Sequence, residues 1–366
     1  MVAPRPLSVQ VLEAEAIGRL IDALIEDGRI VIAPTIRDGA ITLDEITSAA
    51  DLPVGLGAEL APGRYQLAPD TEGRIFAAPV GPASVKRWRR PPEAVVWSGR
   101  RERGGFSGGP PERSAPRLAF IGLRGCDLAA RVLYDKAVGV SGSDDFIVGV
   151  ECTRPGATCF CVSMGTGPGI SDGADLVLTE VVKPSHLLMA RAVTGRGAEM
   201  LGRLGGRPAT AAEEDAAWSQ VAEAARAMGK GIDPDQAAAA LRIPSTEGWD
   251  DVASRCLACG NCTMVCPTCF CTTTVDHTSP DGSDATRVRL WDVCFSLGFS
   301  EMHGRPVRAS TASRYRQWIS HKLSWWWDQY GASGCVGCGR CIVWCPVGID
   351  IRAEAAAAIE RVGAHV

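Results

Sequence analysis

The sequence predicts an α+β chain, with an N-terminal α/β-type domain over 1–235 and a mainly helical domain over 236–366. Three observations carry this reading. Two strand-like runs, Leu118–Leu123 and Phe146–Val150, flank a helical segment at Asp127–Ala137, and strand–helix–strand units of this kind build parallel sheets. The stretch 211–242 is rich in alanine and helical in pattern. Beyond it, the phrase Cys256-x2-Cys259-x2-Cys262-x3-Cys266-Pro267 returns as Cys335-x2-Cys338-x2-Cys341-x3-Cys345-Pro346.

Taken in order, the elements begin with a helix over roughly 8–27, read from Val9, Leu12, Ile17, Leu20, Ile21 and Leu24 and stopped by Gly28. A short strand, Ile30–Ala33, follows. The basic cluster Lys86–Arg90 reads as a solvated face, and 98–115, rich in Gly, Pro and charge, as a mobile surface loop. Parallel strands bring their carboxyl ends to one edge, so Cys126, in the turn Arg124-Gly125-Cys126, and Cys152, after the second strand, are expected to be neighbours. A third strand, Asp175–Thr179, follows the loop bearing Cys159-Phe160-Cys161. Between the two cysteine runs, Trp291, Trp318 and Trp325–Trp327 are expected to pack a core that shields the metal centres.

The apolar fraction of 46% can fill real cores, and a net charge of −4 leaves no nucleic-acid footprint. The start, Met1-Val-Ala-Pro-Arg-Pro, has no uniformly apolar or twin-arginine signal, and the longest apolar runs are too short to cross a bilayer. These features place the chain in the cytoplasm, where its 15 cysteines read as metal ligands and not as disulfides.

The cysteine spacing is that of a two-cluster ferredoxin domain, in which the fourth Cys of each run ligates the other cluster. One [4Fe–4S] cluster is therefore assigned to Cys256, Cys259, Cys262 and Cys345, and the other to Cys335, Cys338, Cys341 and Cys266. Zinc is the weaker alternative, since zinc sites use two separated pairs of ligands. Gly260 and Gly339 fall at the same place in both runs and allow close backbone approach. Seven cysteines remain. A third [4Fe–4S] cluster on Cys126, Cys152, Cys159 and Cys161 is the preferred reading, with buried free thiols, a zinc site or a redox disulfide as alternatives. Cys269, Cys271 and Cys294 read as structural thiols close enough to tune the clusters. Gly165-x-Gly167-x-Gly169 lacks the strand, spacing and helix of a dinucleotide loop, and the five histidines, His186, His277, His303, His321 and His365, form no ligand pattern.

Gly125-Cys126-Asp127-Leu128, Cys152, the Cys159-to-Pro168 segment, Cys266-Pro-Thr-Cys-Phe-Cys271 and Trp291-Asp-x-Cys294, together with the two runs, resemble the four-iron dicluster β subunit of cytoplasmic sulfhydrogenases. The same family includes the A subunit of anaerobic sulfite reductase. The resemblance spans roughly residues 118–350. It implies a hetero-oligomer in which this chain bridges a flavin/NAD(P)H-binding subunit and either [NiFe] hydrogenase subunits or a sulfite reductase catalytic subunit. The residues lead to the same role, because hydride donors give electron pairs while clusters take single electrons, and no flavin, nicotinamide, nickel or sirohaem motif is present here. The expected function is electron transfer without catalysis by the chain alone. A relay to sulfite reductase and a stand-alone iron–sulfur sensor are the alternatives.

Overall fold

A computed structural model describes residues 9–78, 81–111, 116–140, 143–243 and 245–363. The first eight residues, 112–115 of the expected loop and His365 lie outside the described residues. The chain opens with strand β1 (Gln10–Glu13), helix α1 (Ala16–Glu26), and the hairpins β2 (Ile30–Arg37) to β3 (Ala40–Ile46) and β4 (Leu56–Ala61) to β5 (Arg64–Pro69). A short helix α2 (Lys86–Arg89) precedes β6 (Glu93–Glu102) and β7 (Gly105–Gly109). Then come β8 (Leu118–Leu123), α3 (Gly125–Val138), β9 (Phe146–Val150), β10 (Leu176–Val181) and β11 (Leu187–Ala192). Helix α4 (Gly195–Leu204), the two-residue β12 (Arg207–Pro208) and α5 (Ala211–Ala227) complete the first part.

The second part contains α6 (Pro234–Arg242), α7 (Asp250–Arg255), α8 (Asn261–Met264) and a hairpin of β13 (Thr272–Thr278) and β14 (Asp284–Trp291). It ends with α9 (Thr311–Ser320), a π-helical turn at His321–Trp325, α10 (Trp326–Tyr330), α11 (Arg340–Val343) and α12 (Ile351–Gly363).

Eight strands form the main sheet in the order β12-β1-β11-β10-β9-β8-β2-β3. Its centre is parallel, β2 to β8 to β9 to β10, and its flanks are antiparallel. Every residue of β8 and β9 is buried, which is why both read as unbroken apolar runs without alternation. Helix α1 lays Ile17, Leu20, Ile21 and Leu24 on one face of the sheet, matching their helical spacing. The observed α/β sheet followed by a helical region agrees with the expected fold class.

Three expectations need correction. Residues 10–13 are not helical; they pair antiparallel with β11, Val11 opposite Met189, and that partner lies far along the chain where no local periodicity can announce it. The segment 98–115 is not simply a loop, because β6 and β7 pair with each other and β6 pairs with β14, giving a sheet ordered β13-β14-β6-β7. The basic cluster is not wholly a solvated face, since Lys86 is buried under the second part of the chain.

The aromatic insert meets its expectation in part: Trp318 and Trp326 are buried, Trp291 and Trp327 are half-buried, and Trp325 is exposed. Tyr315, Trp318, Phe295 and Trp249 form a buried cluster with Leu323 and Ile342, and Phe160 from the first cysteine loop joins it. A second tie between the two halves is ionic. Arg340, at the start of α11, donates to Asp127 at 2.7 Å and to the Gly81 carbonyl at 2.8 Å, with both charged side chains almost fully buried. Removing one partner of such a pair strands the other charge. Asp127→Ala should therefore lower stability by about 3–5 kcal/mol, read by denaturant unfolding, while Asp127→Ala combined with Arg340→Met should recover part of the loss.

Candidate metal centres

Each cysteine run folds as a tight loop ending in a one-turn helix. Gly260 and Gly339 stand before α8 and α11 with φ of 73° and 74°. Two residues after the first Cys of each run, Ala258 and Gly337 also take left-handed backbone, at φ 52° and 66°, and their N–H groups both point at a sulfur. Ala258 N–H donates to Cys256 Sγ at 3.4 Å and Gly337 N–H to Cys335 Sγ at 3.4 Å. The sequence repeat is thus a structural repeat.

The space beside the first run is lined by Cys256, Cys259 and Cys262 together with Cys345 from the second, under Phe295 and Trp318. Cys345 also accepts the Ile349 N–H at 3.3 Å. Cys266 lies on the other side, where its charge bears on Cys335, Cys338 and Cys341. Cys345 thus lines the space of the first run, and Cys266 bears on all three leading cysteines of the second run as well as on Cys262 of its own. Among the described residues no three His, Cys, Asp or Glu side chains converge on a single ion, whose metal–sulfur bonds would be about 2.3 Å for zinc.

In the first part of the chain, the carboxyl ends of β8 and β9 deliver Cys126 and Cys152, and the loop that follows brings Cys159 and Cys161 to them. The charges of Cys152 and Cys159 both act on Cys161, and that of Cys161 acts on Cys126. This group abuts the second run. Phe160 N–H donates to the Gly337 carbonyl at 2.8 Å, and Thr166 Oγ1 to the Val336 carbonyl at 2.6 Å. A β-carbon on Gly337 would lie 2.6 Å from the Cys161 nitrogen, and one on Gly339 would lie 2.5 Å from the Thr158 carbonyl oxygen. Both positions require glycine, and for Gly339 the close neighbour is the N-terminal cysteine loop.

The donor set fits iron–sulfur groups. Burial pushes Cys159 and Cys335 up to about 12 and raises Cys126, Cys262 and Cys341 well above the ordinary thiol range, and each neighbouring thiolate raises them further. Only a strongly positive centre makes so many adjacent sulfurs anionic together. Cys266 is the opposite case. A hydrogen bond from Cys269 lowers it well below the usual range against the effect of burial, with the Lys322 charge and Thr268 assisting.

Sequence reasoning missed Lys322 and Lys86. Lys322 contacts Cys266 Sγ at 3.2 Å. Burial opposes its charge, but the sulfurs of Cys266, Cys269 and Cys335 outweigh burial and raise its ammonium group well above the usual lysine range. Lys86 donates to the carbonyls of Met264, Cys266 and Cys269 and lies 4.1 Å from the Trp291 ring centre. A signal for Lys322 was present, since it is the lone lysine in the tryptophan-rich run 318–327. Cys269 and Cys271 pair through hydrogen bonds with Cys266 and Cys294 respectively.

Thiols with raised values hold their protons through neutral pH in the metal-free chain, and metal loading must expel those protons. Acid therefore favours the metal-free form. Iron retention should fall as pH is lowered from about 8 to about 6, measured as iron remaining after gel filtration, and should be flat with pH if these thiols hold no metal.

Residues 255–349 match the family described as a 4Fe-4S dicluster domain, which gives the chain two [4Fe–4S] clusters. Over 251 residues the chain is 32% identical to the sulfhydrogenase 2 subunit beta of Pyrococcus furiosus, an alignment covering 64% of this chain and 72% of the relative. Among the described residues no helix is long and apolar enough to cross a membrane. With its paired cysteine runs, its dicluster domain and this relative, the chain belongs to the family of iron–sulfur electron-transfer proteins related to the sulfhydrogenase β subunit.

Proposed function

We propose that this chain relays electrons between a flavin/NAD(P)H-binding subunit and the catalytic subunit of a cytoplasmic [NiFe] hydrogenase complex. Bound iron–sulfur clusters supply one-electron transfer, and the chain supplies their order and insulation. The observation that carries the reading is the succession of sulfur groups. The N-terminal group abuts Cys338, the second run abuts the first through Cys341 and Cys262, and the first run reaches solvent at Cys259. Cys259 is exposed beside Leu257, which is 63% exposed, and together they give the line of sulfurs one open end. The name of the Pyrococcus relative supports a hydrogenase partner. We further infer that the chain divides near residue 235, since α6 packs Ala237 and Leu241 into the second core, although β6 crosses that division to join β14.

The ligand sets that support this role are Cys256, Cys259, Cys262 and Cys345 for one cluster and Cys335, Cys338, Cys341 and Cys266 for the other. Cys126, Cys152, Cys159 and Cys161 would hold a third. Cys345→Ala should damage the cluster of the first run and spare that of the second, and the reverse pattern by EPR spectroscopy overturns the crossed assignment. Iron should approach about twelve per chain, from four in each cluster, and Cys159→Ala with Cys161→Ala should reduce it to about eight. A full-length protein that holds about eight iron with or without those substitutions rules out the third cluster.

The role itself is tested on the natively purified complex by metal and cofactor analysis. Nickel with a flavin is the expected result, and sirohaem in their place would redirect the reading to sulfite reduction. The purified chain alone should not oxidise NAD(P)H, because it offers no hydride acceptor, and should accept electrons once a flavin partner is added. Rapid NAD(P)H oxidation by the flavin-free chain would sink this proposal.

A further inference from the structure

Lys322 lies in the π-helical turn between α9 and α10 and is only 4% exposed. An ammonium group has three N–H donors, and here each has one acceptor: Cys266 Sγ at 3.2 Å, Thr268 Oγ1 at 3.0 Å and the Gly334 carbonyl at 3.1 Å. The Thr268 hydroxyl gives its single proton to the Gly334 carbonyl at 2.6 Å and so meets Lys322 as an acceptor. The ammonium is thereby fixed against the sulfur, with no donor left to turn elsewhere. π-helical turns of this kind recur at functional sites.

Among the described residues, the cluster of the first run has no equivalent cation hydrogen-bonded to a ligand sulfur. Its sulfur contacts come from the neutral N–H groups of Ala258 and Ile349. Arg314, whose charge reaches Cys256, is held instead by the carbonyls of Arg308 and Ala309. The second run has the matching neutral contact from Gly337, so Lys322 is a full charge added to an otherwise similar loop. Near Cys338, Arg340 is paired with Asp127 and its side chain also reaches the Cys338 sulfur, so two cations bear on the second run and the Lys322 substitutions isolate one of them.

Reduction of a cluster adds one negative charge. A cation held in contact with a ligand sulfur stabilises the reduced form more than the oxidised form, and little water is present to screen it. We propose that Lys322 is a positioning residue that raises the reduction potential of the cluster bound through Cys266 above that of the cluster in the Cys256 run, so that an electron rests at the middle of the relay. This rests on the crossed ligand assignment above.

The test is potentiometric EPR titration of the full-length, cluster-loaded chain, with the two signals assigned by Cys335→Ser and Cys256→Ser. In the wild-type chain the Cys335 signal should have the higher potential. Lys322→Met and Lys322→Gln should lower the reduction equilibrium constant of that cluster at least tenfold, about 59 mV for a one-electron couple, and Lys322→Arg should retain most of the wild-type value. The Cys256 signal should move much less. Unchanged potentials in Lys322→Met and Lys322→Gln at full iron content overturn the proposal, as do equal shifts in both clusters. Should these variants lose the cluster, the wild-type order still decides, and a lower potential for the Cys335 signal overturns the proposal. Cys266→Ser separates the two levels of inference, because a change confined to the Cys256 signal would refute the ligand assignment itself.

Discussion

The close seating of the second cysteine run on the loop Thr158–Cys161 is the contact on which the rest of the molecule depends. Two glycines, 337 and 339, leave no room for even one carbon between them and that loop. The loop is carried by the ends of parallel strands, and the run is carried by a one-turn helix anchored through Arg340 to Asp127. Neither half could present its sulfurs in this arrangement without the other. The buried ion pair contributes little net stability by itself, but its two charges must find each other for the interface to close, which favours one docking geometry.

Burying many thiols together is costly for an ordinary protein core, because each ionised sulfur disfavours the next. Among the described residues, the contacts that offset this include backbone N–H groups at equivalent places in the two runs and the side chains of Lys322, Arg340 and Arg124. The aromatic residues serve a different purpose. Phe295, Tyr315 and Trp318 interlock at ring separations of 5.3 to 6.2 Å and wall the first run on its protein side, so that its exposed cysteine is its outlet to solvent.

Much of this was legible in the sequence, and what was not has a common cause. The strand–helix–strand unit at 118–150 shows in its local apolar pattern, and the cysteine runs show in their spacing, because both signals lie within a few residues. The strand at 10–13 did not show, since Val11 and Leu12 fit a helical stripe and only pairing with Met189 and Leu188 makes the segment extended. The burial of Lys86 was hidden for the same reason. Its acceptors lie on the carbonyls of residues 264–269, and no property of the charged run at 86–90 foretells them. The grouping of the N-terminal cysteines follows from strand-end topology, whereas nothing local tells that this group meets the second run and not the first.

The small sheet formed by β6, β7, β13 and β14 carries a consequence for biogenesis. Arg100 reaches Asp284 across a sequence separation of 184 residues, so during synthesis the β6–β7 hairpin leaves the ribosome long before its partner exists. A hairpin with an unpaired edge is a template for wrong pairing, and the charges at Arg100, Arg101 and Glu102 with the glycines of β7 make this one a poor template. The nascent chain must therefore wait with one edge open, and its last cysteines arrive later still. Assembly is thereby a late event, timed by the length of the polypeptide.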